Sequence, residues 1–162
     1  MLVVGIDPGI ATTGYGFVRD TDAGIQLIGY GVVTTSPGLS IAQRLSILYQ
    51  ELNQILSLHQ PESGAVEKLF FQKNVSTAIS VGQARGVALL ALAHNQVEVS
   101  EYTPLEIKQA VTGYGGAEKM QVQRMVKTVL AMEDIPRPDD AADALAIAIC
   151  HLHSARLNQF KI

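Results

Sequence analysis

Three strand-like segments follow one another in the first 34 residues, before any helical pattern begins. Segments rich in Val, Ile and Gly at 1–6, 13–19 and 25–34 are separated only by a Pro-Gly turn and by the turn around Asp22. Short turns of this kind join antiparallel neighbours. The chain is therefore predicted to begin with an antiparallel meander, whose apolar faces must be covered by elements that come later.

Helical and strand patterns alternate after the break at Ser36-Pro37-Gly38. Leu and Ile recur at spacings of three and four between 39 and 59, which predicts an amphipathic helix. The strand predicted at 64–67 follows that helix, so we expect it to lie parallel to the first strand. Further helices are predicted at 75–95, from 104, at 119–130 and at 140–156, with a strand at 97–102. This order predicts one α/β domain over residues 1–162, with a mixed five-stranded sheet flanked by helices.

Composition narrows the class of protein. The chain has 162 residues, of which 48% are hydrophobic and 17% charged, as in globular domains. No uninterrupted apolar run reaches the ~18 residues of a membrane span, and the N-terminus lacks the basic segment of a signal peptide. Cys150 is the only cysteine, so neither an internal disulfide nor a cysteine zinc site can form. We expect a cytoplasmic protein, in which Cys150 is a small buried helical residue.

The charges are unevenly distributed along the chain. The net charge of -3 and the pI of about 5.7 argue against nucleic-acid binding when taken alone, because such domains are usually basic. However, residues 1–67 carry a net charge of -4 and residues 68–127 a net charge of +3. A basic face beside an acidic pocket is therefore possible.

Two carboxylates interrupt apolar strands. Asp7 lies in "VVGIDPG" and Glu67 in "GAVEK", each at the end of a predicted strand. An unpaired carboxylate in an apolar interior is costly, so each needs a partner. If the two strands are parallel neighbours, both acids emerge at the same sheet edge, where ligands bind in α/β proteins. Taken singly, Asp7 fits a turn before Pro-Gly and Glu67 fits a solvated charge.

Two further acids lie on the last predicted helix. Asp140 and Asp143 are three residues apart and share one helix face, among small alanines that allow close packing. Singly, Asp139 or Asp140 also fits a helix cap. Four converging carboxylates raise one another's pKa, and hard divalent cations relieve that repulsion. Without a His/Cys ligand set, Mg²⁺ or Mn²⁺ is the natural choice, and paired ions of this kind serve phosphodiester hydrolysis.

Five blocks along the chain resemble the RuvC family of bacterial Holliday-junction resolvases. In chain order they are "GIDPGIATTGYG", "VEKLFFQKN", "VGQARGVALLA", "EYTPLEIKQAVTGYGGAEKMQV" and "DDAADALAIAICH". The resemblance extends from the first strand to about His151. It implies a ribonuclease-H-like fold and a homodimeric endonuclease that cuts two opposed strands of a four-way DNA junction, in recombination and repair. The products would carry 3′-hydroxyl and 5′-phosphate ends.

The resemblance also assigns roles to individual residues. The catalytic and metal-binding acids would be Asp7, Glu67, Asp140 and Asp143, with two Mg²⁺ per subunit and Mn²⁺ as an alternative; Asp139 would be a cap or an outlying charge. Family lysines correspond to Lys108 and Lys119, and an aromatic that wedges into the junction corresponds to Phe70, with Phe71 beside it. The expected DNA-contacting residues are Phe70, Phe71, Lys73, Arg85, Lys108, Lys119, Arg124 and Lys127. Branch-migration proteins RuvA and RuvB are implied as partners.

The helix at 75–95 carries small residues that fit a close helix contact. Gly82, Ala84, Gly86, Ala88 and Ala91 recur there, although Gly inside a helix costs ~1 kcal/mol relative to Ala. The contact is either with a helix of the same chain or with a second subunit in a two-fold dimer.

Three other functions stay open at this point. A sugar-kinase or actin-type ATPase also has an Asp-x-Gly turn after its first strand, but needs two lobes, and would turn over ATP without DNA. A ribosomal-RNA nuclease of the same fold would cleave structured RNA instead of a junction. A non-catalytic junction-binding module would bind equally well after Asp7→Asn and leave no metal-dependent nicks. The Gly-rich "GYGGAEK" lacks the spacing of a phosphate-binding loop.

Overall fold

The computed structural model describes residues 1–68 and 75–159, which form a five-stranded sheet covered by helices on both faces. The strands are β1 (Leu2–Asp7), β2 (Thr12–Thr21), β3 (Gly24–Thr34), β4 (Ser63–Glu67) and β5 (Glu98–Tyr102). The helices are α1 (Ile41–His59), α2 (Val75–His94), α3 (Pro104–Thr112), α4 (Lys119–Val129) and α5 (Asp139–Gln159). The strand order is β3-β2-β1-β4-β5, with β1 to β3 antiparallel and β4 and β5 parallel to β1. The predicted mixed α/β fold is confirmed.

Local capping chemistry sets where two of the helices begin. The Ser40 hydroxyl accepts a hydrogen bond from the backbone N–H of Gln43, whose side chain returns to the Ser40 backbone, so α1 starts with a capping box. Thr103 and Glu106 form the same arrangement before α3. The predicted boundaries agree with the structure to within a few residues. The largest difference is at α5, which begins at Asp139 and continues to Gln159.

Successive residues of β1 face opposite layers of the molecule. Leu2, Val4 and Ile6 pack with α1 and α2, whereas Val3 packs with α3, α4 and α5. Because side chains alternate along a strand, Asp7 points to the same side as Val3, toward α5. In β4, Ala65 belongs to the α5 side in the same way, so Glu67 faces that side too. Strand alternation therefore brings two carboxylates to one face of the sheet.

Glycines allow the backbone of α5 to lie directly on the sheet. A Cβ atom at Gly14 would overlap the carbonyl oxygen of Asp140, and one at Gly5 would overlap that of Ala144. Gly14 is also the cross-strand partner of Asp7. The start of α5 is thus fixed against the end of β1, and no larger residue at position 14 would permit this approach. Cys150 is buried on the same helix, as predicted, and burial raises the pKa of its thiol to about 12.

The small residues of α2 divide between two faces of that helix. Ala84, Ala88 and Ala91 are fully buried in the core beside α1. At Gly82 and Gly86, by contrast, an added Cβ would meet no atom of the described chain within 4 Å. Apolar side chains are exposed on α2 as well, namely Val75, Ile79 and Leu90. A close contact with another described helix of this chain therefore does not explain Gly82 and Gly86.

One described helix, α2, is long and apolar enough to cross a membrane by length and composition alone. The sequence shows no uninterrupted apolar run of that length, since Gln83 and Arg85 interrupt α2. The mean hydropathy of the helix is nevertheless 1.4. Its alanine face is part of the protein core, and an apolar helix packed into a folded domain passes the same test.

Candidate active site

A cavity of about 280 Å³ lies beside the ends of β1 and β4 and is bounded by α3, α4 and α5. Its polar lining consists of the carboxylates of Asp7, Glu67 and Asp143 and the ammonium groups of Lys108 and Lys119. The remaining lining residues are apolar and come from the three helices. Three of the four predicted acids, which are far apart in sequence, thus meet in one cavity.

The turn after Asp7 is held by hydroxyl groups. The buried Thr13 hydroxyl donates to the carbonyl of Gly9 at 2.7 Å and accepts from its N–H at 3.1 Å. Thr35 donates to the carbonyl of Ile10 in a short hydrogen bond, and Arg44 Nε donates to the Thr35 hydroxyl at 2.8 Å. These groups fix the chain direction immediately after the carboxylate. Sequence reasoning missed them, although polar residues beside a Pro-Gly turn are the available signal.

Asp140 and Asp143 occupy different positions relative to the cavity. The Asp143 carboxylate lines it, while Asp140 is not among its lining residues. Asp140 is nevertheless close enough to raise the pKa values of both Asp7 and Asp143 by charge repulsion. Its backbone carbonyl faces Gly14, next to Asp7 on the neighbouring strand. All four predicted acids are therefore electrostatically coupled.

Burial and mutual repulsion make the negative charges of the cluster costly. Burial is the largest cause that raises the pKa of Asp7 from 3.8 to about 7, followed by the charges of Asp143, Glu67 and Asp140. Burial, then Asp143, raises the pKa of Glu67, against the opposing effect of Lys108 and Lys119. Burial also raises the pKa of Asp143. Such a cluster is stabilised by positive charge placed among the carboxylates.

Lys119 supplies part of that positive charge. Its Nζ lies 3.0 Å from Oδ2 of Asp143 and 3.6 Å from Oδ2 of Asp139. The hydrogen bond to Asp143 is the largest cause that raises the pKa of Lys119. Lys119 is the first residue of α4, so the start of this helix is joined to the start of α5 by an ion pair inside the cavity.

Asp139, which is not one of the four acids, makes polar contacts with three side chains. Its Oδ1 accepts from Gln123 Nε2 at 3.1 Å and from Arg137 Nη1 at 2.9 Å, while its Oδ2 faces Lys119. The Gln123 hydrogen bond is the largest cause that lowers the pKa of Asp139. Asp139 is the first residue of α5, and its role as a cap or an outlying charge stays a prediction.

Comparison with known proteins identifies the family. The family model described as crossover junction endodeoxyribonuclease RuvC matches residues 3–151. The chain belongs to the RuvC family. The predicted enzyme class, a crossover junction endodeoxyribonuclease of DNA recombination and repair, is thereby confirmed.

RuvC proteins from several bacteria are similar to this chain along most of their length. The RuvC of a Roseiflexus species is 55% identical over 152 residues, which cover 94% of this chain and 90% of that protein. The RuvC of Syntrophomonas wolfei is 52% identical over 160 residues, covering 99% and 93%.

Solved RuvC structures share the fold. Thermus thermophilus RuvC superimposes with a TM-score of 0.90 at 38% identity, covering 98% of this chain and 97% of that one. The same protein in complex with a Holliday junction substrate gives a TM-score of 0.92, with coverage of 98% and 96%. The yeast mitochondrial Holliday junction resolvase, at 13% identity and a TM-score of 0.69, shares the fold alone.

Apart from Arg85, the residues predicted to contact DNA fall into three groups. Phe70, Phe71 and Lys73 lie outside the described residues. Lys108 and Lys119 line the cavity of the RuvC acids. Arg124 is exposed and Lys127 is half-buried on α4, and neither forms an ion pair within residues 1–68 and 75–159.

Arg85 is placed differently from the other predicted DNA-contacting residues. Its side chain is only 16% exposed and pairs with Glu101 on β5 at 2.8 Å. The guanidinium therefore links α2 to the sheet and is largely withdrawn from the surface on which a phosphate would bind.

The chemistry of the four acids fits divalent metal ions. All four are oxygen donors, which Mg²⁺ and Mn²⁺ prefer, and the raised pKa of Asp7 reflects a buried charge without enough compensation. Within the described part of the chain, no three His, Cys, Asp or Glu side chains are already positioned to hold an ion. Asp143 is instead paired with Lys119, so ion binding requires these side chains to rearrange. As a RuvC protein, the chain is a metal-dependent nuclease.

Proposed function

We propose that the acidic cavity hydrolyses phosphodiester bonds at four-way DNA junctions. One cut would be made in each of two opposed strands at symmetric positions, leaving 3′-hydroxyl and 5′-phosphate ends. The observation that carries this proposal is the meeting of acids from β1, β4 and α5 with two lysines in one cavity of a RuvC-family chain. The junction bound to Thermus thermophilus RuvC is the substrate class that supports it.

The catalytic residues of this proposal are the four coupled acids, which would also hold the metal. Asp7, Glu67, Asp140 and Asp143 offer only oxygen donors, so we expect two Mg²⁺ per subunit, with Mn²⁺ as an alternative. Divalent ions held there supply Lewis acidity to phosphodiester hydrolysis. The chain's own contribution is to hold the carboxylates together at the cost expressed in their raised pKa values.

Two lysines are suited to bind the phosphate that is cut. Lys108 and Lys119 line the same cavity as the acids, so either ammonium can offset negative charge that develops on the phosphate during cleavage. Before it can bind the phosphate, the Lys119 ammonium must first leave the Asp143 carboxylate. Asp139, which already lies 3.6 Å from the ammonium, keeps Lys119 at the rim of the cavity during that exchange.

DNA beyond the cut phosphate would contact basic residues that lie outside the acidic cavity. Arg124 and Lys127 on α4 carry no ion pair within the described residues and are available to phosphates. Phe70, Phe71 and Lys73 follow Glu67 within six residues of sequence and lie outside the described residues. The family resemblance supports a role for one of the two phenylalanines in stacking on an opened base.

A homodimer is supported by the outer face of α2. Gly82 and Gly86 meet no described atom there, and Ile79 is 57% exposed, which favours a close helix contact with a second copy. Two acidic sites related by a two-fold axis match the symmetry of a junction. Ile79→Glu should give a monomer in sedimentation analysis. Leu58→Glu, a matched change of an exposed leucine on α1, should leave the dimer intact.

The cellular setting follows from the substrate and the family. Junctions form in the chromosomal DNA of bacteria, so we infer that the enzyme works in the cytoplasm. Membership of the RuvC family supports RuvA and RuvB, which move junction branch points, as partners. Co-purification of tagged protein with RuvA and RuvB on a junction would test this, with a linear duplex as the control.

A labelled four-way junction tests the catalytic proposal. In Mg²⁺, we expect paired nicks at symmetric positions, with no cleavage in chelator. Asp7→Asn should bind the junction and leave it uncut, whereas Asp22→Asn, which changes an exposed carboxylate in the β2–β3 turn, should cut normally. Cleavage by Asp7→Asn at the wild-type rate would remove Asp7 from the mechanism. Preferential cleavage of structured RNA would assign the cavity to another substrate.

A further inference from the structure

A second cavity, of about 330 Å³, lies where α3 meets α4, and cleavage at the four acids does not use it. Its lining includes Thr112 at the end of α3, Tyr114 in the Gly-rich loop, and Arg124 and Met125 on α4. Pockets near this size are at the small end of those that hold organic ligands. The loop is the "GYGGAEK" segment, which lacks the spacing of a phosphate-binding loop.

The ring of Tyr114 is exposed but held in place. Its side chain is 66% exposed, and its backbone N–H donates to the Thr112 hydroxyl at 3.1 Å. The single proton of that hydroxyl is shared between the Lys108 carbonyl at 2.8 Å and the Tyr114 carbonyl at 3.0 Å. A Cβ atom at Gly116 would lie 2.6 Å from the ring carbon Cζ of Tyr114, so the ring rests directly on the glycine backbone. The loop therefore places an exposed aromatic ring against the Gly116 backbone, at the edge of the second cavity.

Positive charge lies beside this ring. The exposed guanidinium of Arg124 has no carboxylate partner within the described residues. The neighbouring Met125 adds a polarisable apolar wall to the same cavity. An aromatic platform next to an unpaired cation is the combination by which proteins bind single-stranded nucleic acid, because the ring stacks on a base and the cation meets the phosphate.

The second cavity is lined by two of the helices that also line the catalytic one. On α4, Lys119 lines the catalytic cavity and Arg124, five residues later, lines the second. With a rise of 1.5 Å and 3.6 residues per turn, Arg124 is displaced from Lys119 by about 7–8 Å along α4 and by roughly 140° around it, so the two cavities lie on different sides of this helix. On α3, Lys108 lines the catalytic cavity and Thr112, about one turn later on the same face, lines the second. A DNA strand that leaves the four acids would therefore pass over the end of α3 to reach the Tyr114 ring.

We propose that the second cavity binds one nucleobase of the cleaved strand, a few nucleotides from the cut phosphate. Tyr114 stacks on that base and Arg124 contacts the adjoining phosphate. This assignment rests on the proposed function, because the strand must pass through the catalytic cavity. Binding an unpaired base here also fixes how the strand is aligned over the acids, so the site influences where the cut falls.

Fluorescent base analogues locate such a site directly. A junction carrying 2-aminopurine at single positions, one to six nucleotides from the cut, would be bound to Asp7→Asn protein so that the DNA stays intact. We expect a fluorescence change caused by Tyr114 at one or two adjacent positions only. The change should disappear in the Tyr114→Ala double variant and persist in Tyr114→Phe, which keeps the ring.

Affinity and salt dependence provide independent measures. Tyr114→Ala should weaken junction binding about 10-fold, within the range known for base–aromatic stacking. Arg124→Gln should lower the slope of log affinity against log salt by about 1, the effect of one lost phosphate contact. Thermal unfolding midpoints equal to that of the parent protein would establish that the loop variants are folded.

The outcomes separate this site from the proposed function. Normal Mg²⁺-dependent nicking together with unchanged fluorescence, affinity and cut positions in Tyr114→Ala would overturn the nucleobase site alone. A Tyr114→Ala defect seen only when RuvA or RuvB is added would also overturn it, and would make the cavity a protein-docking surface. Absence of nicking by the wild-type protein would instead contradict the proposed function.

Discussion

The ammonium of Lys119 lies 3.0 Å from the Asp143 carboxylate, so one of the four acids is already paired with a cation of the chain itself. A lysine in this position lowers the repulsion among the carboxylates before any ion binds. The same contact means that Lys119 and a divalent cation compete for Asp143. Asp139 gives the displaced ammonium a nearby alternative partner.

Replacing Lys119 by Gln should slow junction cleavage and make metal binding easier. Loss of one group that stabilises developing negative charge typically costs about 10²–10³ in rate. Removal of the competing ammonium should shift metal-dependent thermal stabilisation to lower Mg²⁺ concentration. Single-turnover nicking and thermal melts at graded Mg²⁺ measure the two effects.

Lys127→Gln is the matched control for this prediction, because it removes a lysine from the same helix that lies outside the acidic cavity. We expect it to leave the Mg²⁺ dependence unchanged and to weaken DNA binding only slightly. A Lys119→Gln enzyme that cuts as fast as the wild type would show that this ammonium has no part in the reaction.

Asp7→Asn should stabilise the metal-free protein while abolishing cleavage. The ionised Asp7 is destabilised by burial and by three neighbouring acids, which raise its pKa from 3.8 to about 7. Since each pKa unit corresponds to 1.36 kcal/mol, the gain in unfolding free energy at pH 8 is at most about 4 kcal/mol. Urea unfolding in chelator at pH 8 measures it. Equal stability of the two proteins would mean that the Asp7 charge is well compensated without metal.

Gly14→Ala should impair both folding and cleavage. Its Cβ would overlap the backbone carbonyl of Asp140, so α5 would have to move away from β2, and Asp140 with it. Overpacking of this kind typically costs about 1–3 kcal/mol. The control is Gly29→Ala, at a position in β3 where the nearest atom to an added Cβ is 3.7 Å away. Denaturant unfolding and nicking rates should distinguish the two variants, and equal effects would argue against a tight α5–sheet contact.

Acid should remove the contribution of the neutral His151 ring to stability, whereas protonation of Asp7 acts in the opposite direction below about pH 7. This buried ring contacts the Ser63 hydroxyl at 2.9 Å and the Tyr102 hydroxyl at 3.0 Å, and burial lowers its pKa from 6.5. The folded state therefore binds the His151 proton less readily than the unfolded state does. Its contribution to stability is complete above about pH 6.5 and is lost as the pH falls below that value, by no more than about 1.4 kcal/mol per pH unit.

His151→Gln tests this pH dependence, because Gln keeps a donor and an acceptor but does not titrate between pH 5 and 7. From pH 6.5 to pH 5, the unfolding free energy of the wild-type protein should decrease relative to that of the variant, because Asp7 titrates in both proteins. Parallel curves would indicate that His151 is not the titrating group.

Much of the fold and the acidic site could be predicted because their signals are local. Strands and helices follow from apolar periodicity, and Asp7 and Glu67 are conspicuous because each interrupts an apolar strand. The parallel pairing of β1 and β4 then brings these two acids together. Asp140 and Asp143 share a helix face by their spacing alone.

Contacts between distant segments could not be predicted in the same way. The pairing of Lys119 with Asp143 depends on how α4 meets α5, and the burial of Arg85 against Glu101 depends on how α2 lies on the sheet. Arg85 therefore looked like any other basic residue in the sequence. Close packing of α5 on the sheet could have been predicted from Gly14 and Gly16. Two small residues at alternate positions of a strand, together with an alanine-rich helix, indicate such packing.

Because successive residues of β1 face different helical layers, the register of β1 determines which layer receives the charge of Asp7. A slip of one residue would turn Asp7 away from α5 and into the leucine-rich layer of α1, where Leu48 and Leu52 offer no polar partner. Misaligned chains would thus bury an uncompensated carboxylate and be strongly disfavoured. Asp7, whose charge is repelled by the neighbouring acids in the folded protein, therefore also favours the correct strand register during folding.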